Sequence, residues 1–204
     1  EPLMHPRIFD LMDHAVKSGM RTALSTNGTL MDRKAAERLK SIGVSYVGIS
    51  IDGLGATHDR FRNRDGAFRA AMEGVRRSLE SEIKVGLRFT LTKDNFMEIN
   101  GVFDLLKTMG IHRICFYHLA YSGRGAKLRN STLSNQETRQ AIDLIISRTS
   151  ALHGDGFGTF RAGAKRHARD SENATFFLNT ARIAEQQLGF FLLVYVYKGH
   201  QQSE

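Results

Sequence analysis

The sequence predicts an α/β fold, a partial or full βα barrel, on three observations. Helical and extended patterns alternate along the chain. Glycine or a capping residue punctuates the helices. The extended runs all turn polar at their carboxyl ends: Ser25-Thr26-Asn27-Gly28, Ser50-Ile51-Asp52-Gly53, Thr92-Lys93-Asp94-Asn95 and Ala120-Tyr121-Ser122-Gly123-Arg124-Gly125. Four consecutive βα units imply a parallel sheet with right-handed crossovers. All four strand ends then share one face, the face where such folds bind ligands. An open doubly wound sheet also fits this pattern, but no Gly-x-Gly-x-x-Gly follows the first strand.

Pro6–Ser18 carries Ile8, Leu11, Met12, Ala15 and Val16 at helical spacing, and Gly19 stops it. Met20–Leu24 reads as a short strand. Asp32 is a candidate N-cap for a helix that runs to Ser41 and ends at Gly43. Val44–Ser50 is a strand, followed by a Gly-containing turn, His58-Asp59-Arg60-Phe61-Arg62, and a helix around Ala67–Leu79. Lys84–Leu91 is a strand, Phe96–Met109 a helix stopped by Gly110, and Arg113–Leu119 a strand. Ser134 and Glu137 form a Ser-x-x-Glu capping box on a helix that continues to about Ala151. After Gly158 the character changes. Phe160–Arg169 is basic without clear periodicity, and Leu188–Tyr197 is apolar and β-prone with no evident partner. The expected division is therefore 1–158 as the barrel portion and 159–204 as an atypical tail, disordered or frame-shifted.

Composition narrows the function. Hydrophobic content of 41% and charged content of 25% are ordinary for a soluble globular protein. No run approaches the roughly 20 apolar residues of a membrane span. The net charge is +8, but Lys and Arg are spread along the chain, as on solvated helix faces. Nucleic acid and membrane are thus not expected partners. The single cysteine, Cys115, excludes an internal disulfide and fits a cytoplasmic location. It also excludes any metal site built from several cysteines of this chain.

The strand-end polar set is Ser25, Thr26, Asn27, Ser50, Asp52, Arg88, Thr90, Thr92, His118, Tyr121, Ser122 and Arg124. Singly, Ser, Thr and Asn end strands because they make turns. Together they line one end of a parallel sheet. Arg88 interrupts the apolar run Val85-Gly86-Leu87-Arg88-Phe89, and an inward cation there needs an anion. His58 and His118 lie on different units and do not suggest a metal pair. No Gly-x-Ser-x-Gly, His-Glu-x-x-His or Walker A loop is present.

These motifs resemble a known family. Glu1-Pro2-Leu3 with His5-Pro6, Leu24-Ser25-Thr26-Asn27-Gly28-Thr29-Leu30, Ser50-Ile51-Asp52-Gly53, His58-Asp59-Arg60-Phe61-Arg62 and Gly66-Ala67-Phe68 resemble the radical SAM enzymes in order and spacing. Phe89-Thr90-Leu91-Thr92 and the loop Tyr121-Ser122-Gly123-Arg124-Gly125 resemble the branch that makes heme d1 and heme. The resemblance implies a partial (βα)6 barrel, here lacking its first βα unit. It implies a [4Fe-4S] cluster on a Cys-x3-Cys-x2-Cys loop and S-adenosylmethionine bound to it. Together these generate a 5′-deoxyadenosyl radical that abstracts a substrate hydrogen.

By the same resemblance, Glu1 receives the methionine amino group, Ser50 and Arg62 hold its carboxylate, and Asn27 lies near the ribose. Arg88, Tyr121 and Arg124 are the substrate candidates, the two arginines because an anionic tetrapyrrole needs cations. A reductant such as flavodoxin or ferredoxin is the implied protein partner. The cluster cysteines lie outside this sequence, so the chain reads as a fragment, inactive alone, that begins inside a Gly-Gly-Glu-Pro motif. A degenerate barrel that binds S-adenosylmethionine or a tetrapyrrole without catalysis is the alternative, as is a peptide-modifying maturase.

Overall fold

A computed structural model describes residues 1–119, 128, 130–154, 159–164 and 192–197. A 3-10 turn, Pro2–Met4, leads into α1 (Ile8–Lys17), β1 (Ala23–Thr26), α2 (Arg33–Ile42) and β2 (Tyr46–Ser50). Then come α3 (Ala56–Arg62), α4 (Ala67–Glu80), β3 (Val85–Leu91), a 3-10 turn Phe96–Glu98, α5 (Ile99–Met109) and β4 (Ile114–His118). The chain continues through α6 (Asn135–Gly154), β5 (Thr159–Ala164) and β6 (Leu192–Tyr197).

The first four strands form one sheet in the order β1-β2-β3-β4. β1–β2 and β2–β3 are parallel, with Thr26 opposite Ile49 and Ser50 opposite Arg88. Strand order that follows chain order, without reversal, is how a barrel winds, whereas a doubly wound sheet reverses at its switch point. The observed order is consistent with a partial barrel, and the four strands form an open sheet among the described residues.

The chain divides into two compact units. One is Glu1–Phe89 with Gly101–Ile114, and the other is Thr90–Asn100 with Cys115–Glu204. In the first, Val47, Ile49, Ile51 and Leu87 are fully buried, as are Ala36 and Leu39 of α2 and Ala71 and Val75 of α4. The helix signals behave as read. The Asp32 carboxylate accepts from the Ala35 amide at 2.7 Å, and Gly43 ends α2 in the left-handed region. In the second unit, Asn95 ties the end of β3 together. Its Oδ1 accepts from the Thr92 amide and its Nδ2 donates to the Thr90 carbonyl, both at 2.8 Å. The capping box forms, with the Ser134 amide and hydroxyl both donating to Glu137 Oε2.

Two segments differ from the sequence reading, and the pairing in the tail goes beyond it. β1 lies later than Met20–Leu24, because Ser25 and Thr26 are paired in the ladder rather than in a turn. α3 is a separate seven-residue helix, Ala56–Arg62, for which the sequence reading assigns no element. Beyond residue 158, β5 and β6 pair antiparallel from Thr159↔Tyr197 to Ala164↔Leu192. The apolar Leu188–Tyr197 run thereby supplies β6, and the segment read as aperiodic supplies β5.

Candidate functional site

The Glu1 carboxylate sits at the end of β1. Its Oε1 accepts from the Thr26 hydroxyl at 2.6 Å and the Leu3 amide at 3.2 Å, and its Oε2 accepts from the Asn27 amide at 2.8 Å. Thr26 is buried, and its hydroxyl oxygen also accepts from the Gly28 amide at 3.0 Å. A carboxylate offers about four acceptor positions. Three are used here, so an acceptor remains for a ligand cation. Asn27 is fixed by an Asx-type turn: its Oδ1 accepts from the Thr29 amide and hydroxyl, both at 2.9 Å. Its NH2 group is the end left to donate.

A second cluster lies past the end of β2. The Asp52 side chain is 2% exposed and pairs with Arg62 Nη2, whose side chain is 33% exposed. The Asp52 amide donates to His58 Nδ1 at 2.9 Å. His58 is buried and meets Phe68 edge-on at 6.0 Å. Burial holds its pKa below the ordinary 6.5, although the Asp52 charge opposes the shift. His58 is therefore neutral at pH 7, and because Nδ1 accepts, the proton is on Nε2. Asp59 caps the next helix from α3: its carboxylate accepts from the Phe68 amide at 2.7 Å and the Gly66 amide at 2.9 Å. Those two bonds hold its pKa below the ordinary 3.8.

Below pH 6.5 the unfolded chain binds a proton at His58 that the folded chain refuses. The contribution of neutral His58 is full above pH 6.5 and is lost as the pH falls below it. Melting temperature should hold from pH 8 to 7 and decline toward pH 5. His58→Asn, which keeps an acceptor for the Asp52 amide, should flatten the decline. An unchanged pH profile in that variant would assign the decline to other groups.

Ser50 and Arg88 face each other in the β2–β3 register, and register partners in a sheet share a face. The Arg88 stem crosses Gly48: a Cβ there would lie 3.0 Å from Arg88 Cδ. Arg113, not singled out from sequence, stacks its guanidinium 4.7 Å from the Tyr46 ring centroid. Tyr121 and Arg124 fall outside the described residues.

Of the site residues expected from sequence, Glu1 and Asn27 are thus in direct contact, and Ser50 adjoins Arg88. Arg62 is tied to Asp52, which the sequence offers as a strand-end polar group and as part of a family motif, without a site role. Thr26 likewise turns out to hold Glu1. His58 supports the loop through a hydrogen bond, a role that metal-ligand spacing does not reveal. A signal was present in its spacing: His58 and Arg62 lie four apart, one turn of a helix.

The model of the Radical SAM superfamily matches residues 1–106. The chain belongs to the radical SAM superfamily. Among relatives, it is 52% identical over 157 residues to the Fe-coproporphyrin III synthase of Methanosarcina barkeri, covering 77% of this chain and 39% of that protein. It is 39% identical over 183 residues to the pre-heme d1 synthase of Dinoroseobacter shibae, covering 89% of this chain and 44% of that protein. The chain therefore spans less than half the length of these radical SAM relatives. The fold matches that of Streptococcus suis SuiB bound to S-adenosylmethionine, with a TM-score of 0.63 at 15% identity over 76% of this chain and 35% of that one.

Radical SAM chemistry uses S-adenosylmethionine and a [4Fe-4S] cluster. The donor set suits the first: an anionic acceptor at Glu1, an amide at Asn27, a hydroxyl at Ser50 and a guanidinium at Arg62. It does not suit the cluster. The one cysteine, Cys115, is buried in β4, and among the described residues no group of three His, Cys, Asp or Glu side chains could hold a metal. Among the described residues, no helix is long and apolar enough to cross a membrane.

Proposed function

We propose that this chain is the S-adenosylmethionine-binding part of a radical SAM enzyme that modifies the side chains of an anionic tetrapyrrole. The observation that carries the reading is the Glu1 carboxylate, fixed by Thr26, Leu3 and Asn27 with an acceptor position to spare. When bound, the cofactors supply a radical able to take a hydrogen atom from substrate. The residues of this chain bind and orient. Glu1 accepts from the methionine ammonium. Ser50 donates to the methionine carboxylate, and Arg62 grips it with a planar fork. Asn27 donates near the ribose. The similarity to an Fe-coproporphyrin III synthase and a pre-heme d1 synthase supports the substrate class. Arg88, on the sheet face beside Ser50, is the cation we assign to a substrate carboxylate, with Tyr121 and Arg124 as further substrate contacts. Residues 1–158 form the barrel portion in this reading. A flavodoxin- or ferredoxin-type donor and a cytoplasmic setting complete it.

The test uses the full-length protein, its cluster reconstituted anaerobically and then reduced. Formation of 5′-deoxyadenosine and methionine, stimulated by a coproporphyrin-type tetrapyrrole, is the expected result. Cleavage stimulated only by a peptide would replace the substrate class. Tight S-adenosylmethionine binding without cleavage would indicate a binding module.

A further inference from the structure

Arg62 is the last residue of α3, a helix of seven residues. Its guanidinium lies 5.5 Å from the Phe61 ring centroid and pairs with the neighbouring strand end. Asp52 follows Ser50 by two residues, is almost fully buried, and accepts from Arg62 Nη2. A carboxylate buried that deeply requires its cation, so the pair is held together. Asp52 is in turn fixed by the hydrogen bond that its backbone amide donates to Nδ1 of buried His58, which precedes Arg62 by one helical turn. Strand end, loop and helix therefore close into one ring. Gly53 lets the loop double back: its φ is +144°, and a Cβ there would lie 2.7 Å from Thr57 Cγ2 and 2.9 Å from the His58 amide.

We infer that Asp52 is a positioning residue for S-adenosylmethionine, aiming Arg62 at the methionine carboxylate while cancelling its charge. The inference rests on the assignment of Arg62 under the proposed function. A guanidinium has five N–H donors, so one arm on Asp52 leaves the others for a ligand carboxylate. Charge matching gives the pairing a purpose. Across the ladder, Thr26 of the Glu1 cradle sits opposite Ile49, the residue before Ser50. Glu1, Asp52 and Arg62 together carry a net charge of −1. S-adenosylmethionine, with ammonium, sulfonium and carboxylate, carries +1. An unpaired Arg62 would make the site neutral overall and open to any small anion. Paired, it recognises a carboxylate by directed hydrogen bonds rather than by bulk charge.

The experiment is calorimetric titration of the full-length, cluster-reconstituted protein with S-adenosylmethionine and with its decarboxylated analogue. Asp52→Asn, which leaves Arg62 without its aim, should weaken S-adenosylmethionine about tenfold to a hundredfold, the span of one charge-assisted bond from Arg62 to the methionine carboxylate. The analogue should lose less than about threefold, since it has no carboxylate for Arg62 to hold. Asp52→Glu, which keeps the charge and moves the acceptor by one methylene, should lose part of the preference. It keeps the test decisive if Asp52→Asn does not fold. Arg62→Gln should abolish the preference. If Arg62→Gln abolishes it while both Asp52 variants keep it, the positioning role is overturned and the site reading stands. Equal weakening of both ligands by the Asp52 variants marks a merely structural role and also overturns the inference. If Arg62→Gln keeps the preference, the assignment of Arg62 falls, and this inference with it.

Discussion

Gly74→Ala should destabilise the first unit by about 1–3 kcal/mol, the usual cost of overpacking a filled interior. The substitution tests which of two effects is larger. In the middle of a helix, alanine is normally the better residue by roughly 1 kcal/mol. Here, however, a Cβ on Gly74 would overlap the carbonyl oxygen of Gly28 and lie 3.1 Å from Met31 Cβ. Backbone cannot rotate aside as a side-chain tip can, so α4 and the loop after β1 must separate. The loop cannot retreat toward β2, because a Cβ at Gly28 itself would already stand 2.8 Å from Ile49 Cγ2. The Gly28 amide is bonded to Thr26 Oγ1, and Thr26 holds Glu1. A packing defect in α4 should therefore reach the cofactor cradle. Thermal melts of wild type and variant should show a lowered transition, and S-adenosylmethionine affinity should fall with it. Gly101→Ala is the contrast: its Cβ would meet only the Leu54 Cδ1 tip at 2.6 Å, which can turn away. An unchanged or raised transition for Gly74→Ala would mean that helix propensity outweighs the collision.

The same loop shows what a sequence reveals and what it hides. Helix α2 was legible because its stop and start signals are local: Asp32 caps three residues ahead, and Gly43 supplies a left-handed turn. The barrel winding was half legible, since alternation implies a parallel sheet but only the pairing fixes its order. Ser25 and Thr26 read as turn residues although they lie in the strand, because strand ends and turns favour the same residues. What put Thr26 into the ladder was pairing with Ile49, and what gave it a role was Glu1, twenty-five residues earlier. α3 escaped notice because seven residues give almost no periodicity, and its order comes from its bonds to Asp52 and to the start of α4. Single candidate residues come from family resemblance. The Asp52–Arg62–His58 ring does not, because it exists only once a loop has folded back. For β6 the apolar run signalled a strand, but its partner lies about thirty residues away, beyond the reach of local pattern.

Glu1→Gln should have the larger effect on ligand. The change keeps the shape of the side chain and removes its charge. Hydrogen bonds to a charged group contribute about 1.5–3 kcal/mol, and each 1.4 kcal/mol is tenfold in affinity. S-adenosylmethionine binding should thus weaken by about tenfold to a hundredfold. The local geometry sharpens the expectation. All three groups that contact the Glu1 carboxylate within the chain are donors: the Leu3 amide, the Thr26 hydroxyl and the Asn27 amide. A glutamine presents one NH2 to this ring, so one donor must face another. The hydroxyl of Thr26 can rotate to accept, but its oxygen already receives the Gly28 amide. The amide end would then settle either against a backbone N–H, loosening the loop, or toward the ligand ammonium, repelling it. Both weaken binding, and melting separates them, because only the first lowers the transition temperature. Glu1→Asp retains the charge but withdraws it by one methylene, and should fall between wild type and Glu1→Gln. A deaminated analogue of S-adenosylmethionine should bind wild type and Glu1→Gln nearly alike if the ammonium is what Glu1 recognises. A full loss for that analogue as well would move Glu1 from ligand contact to loop support.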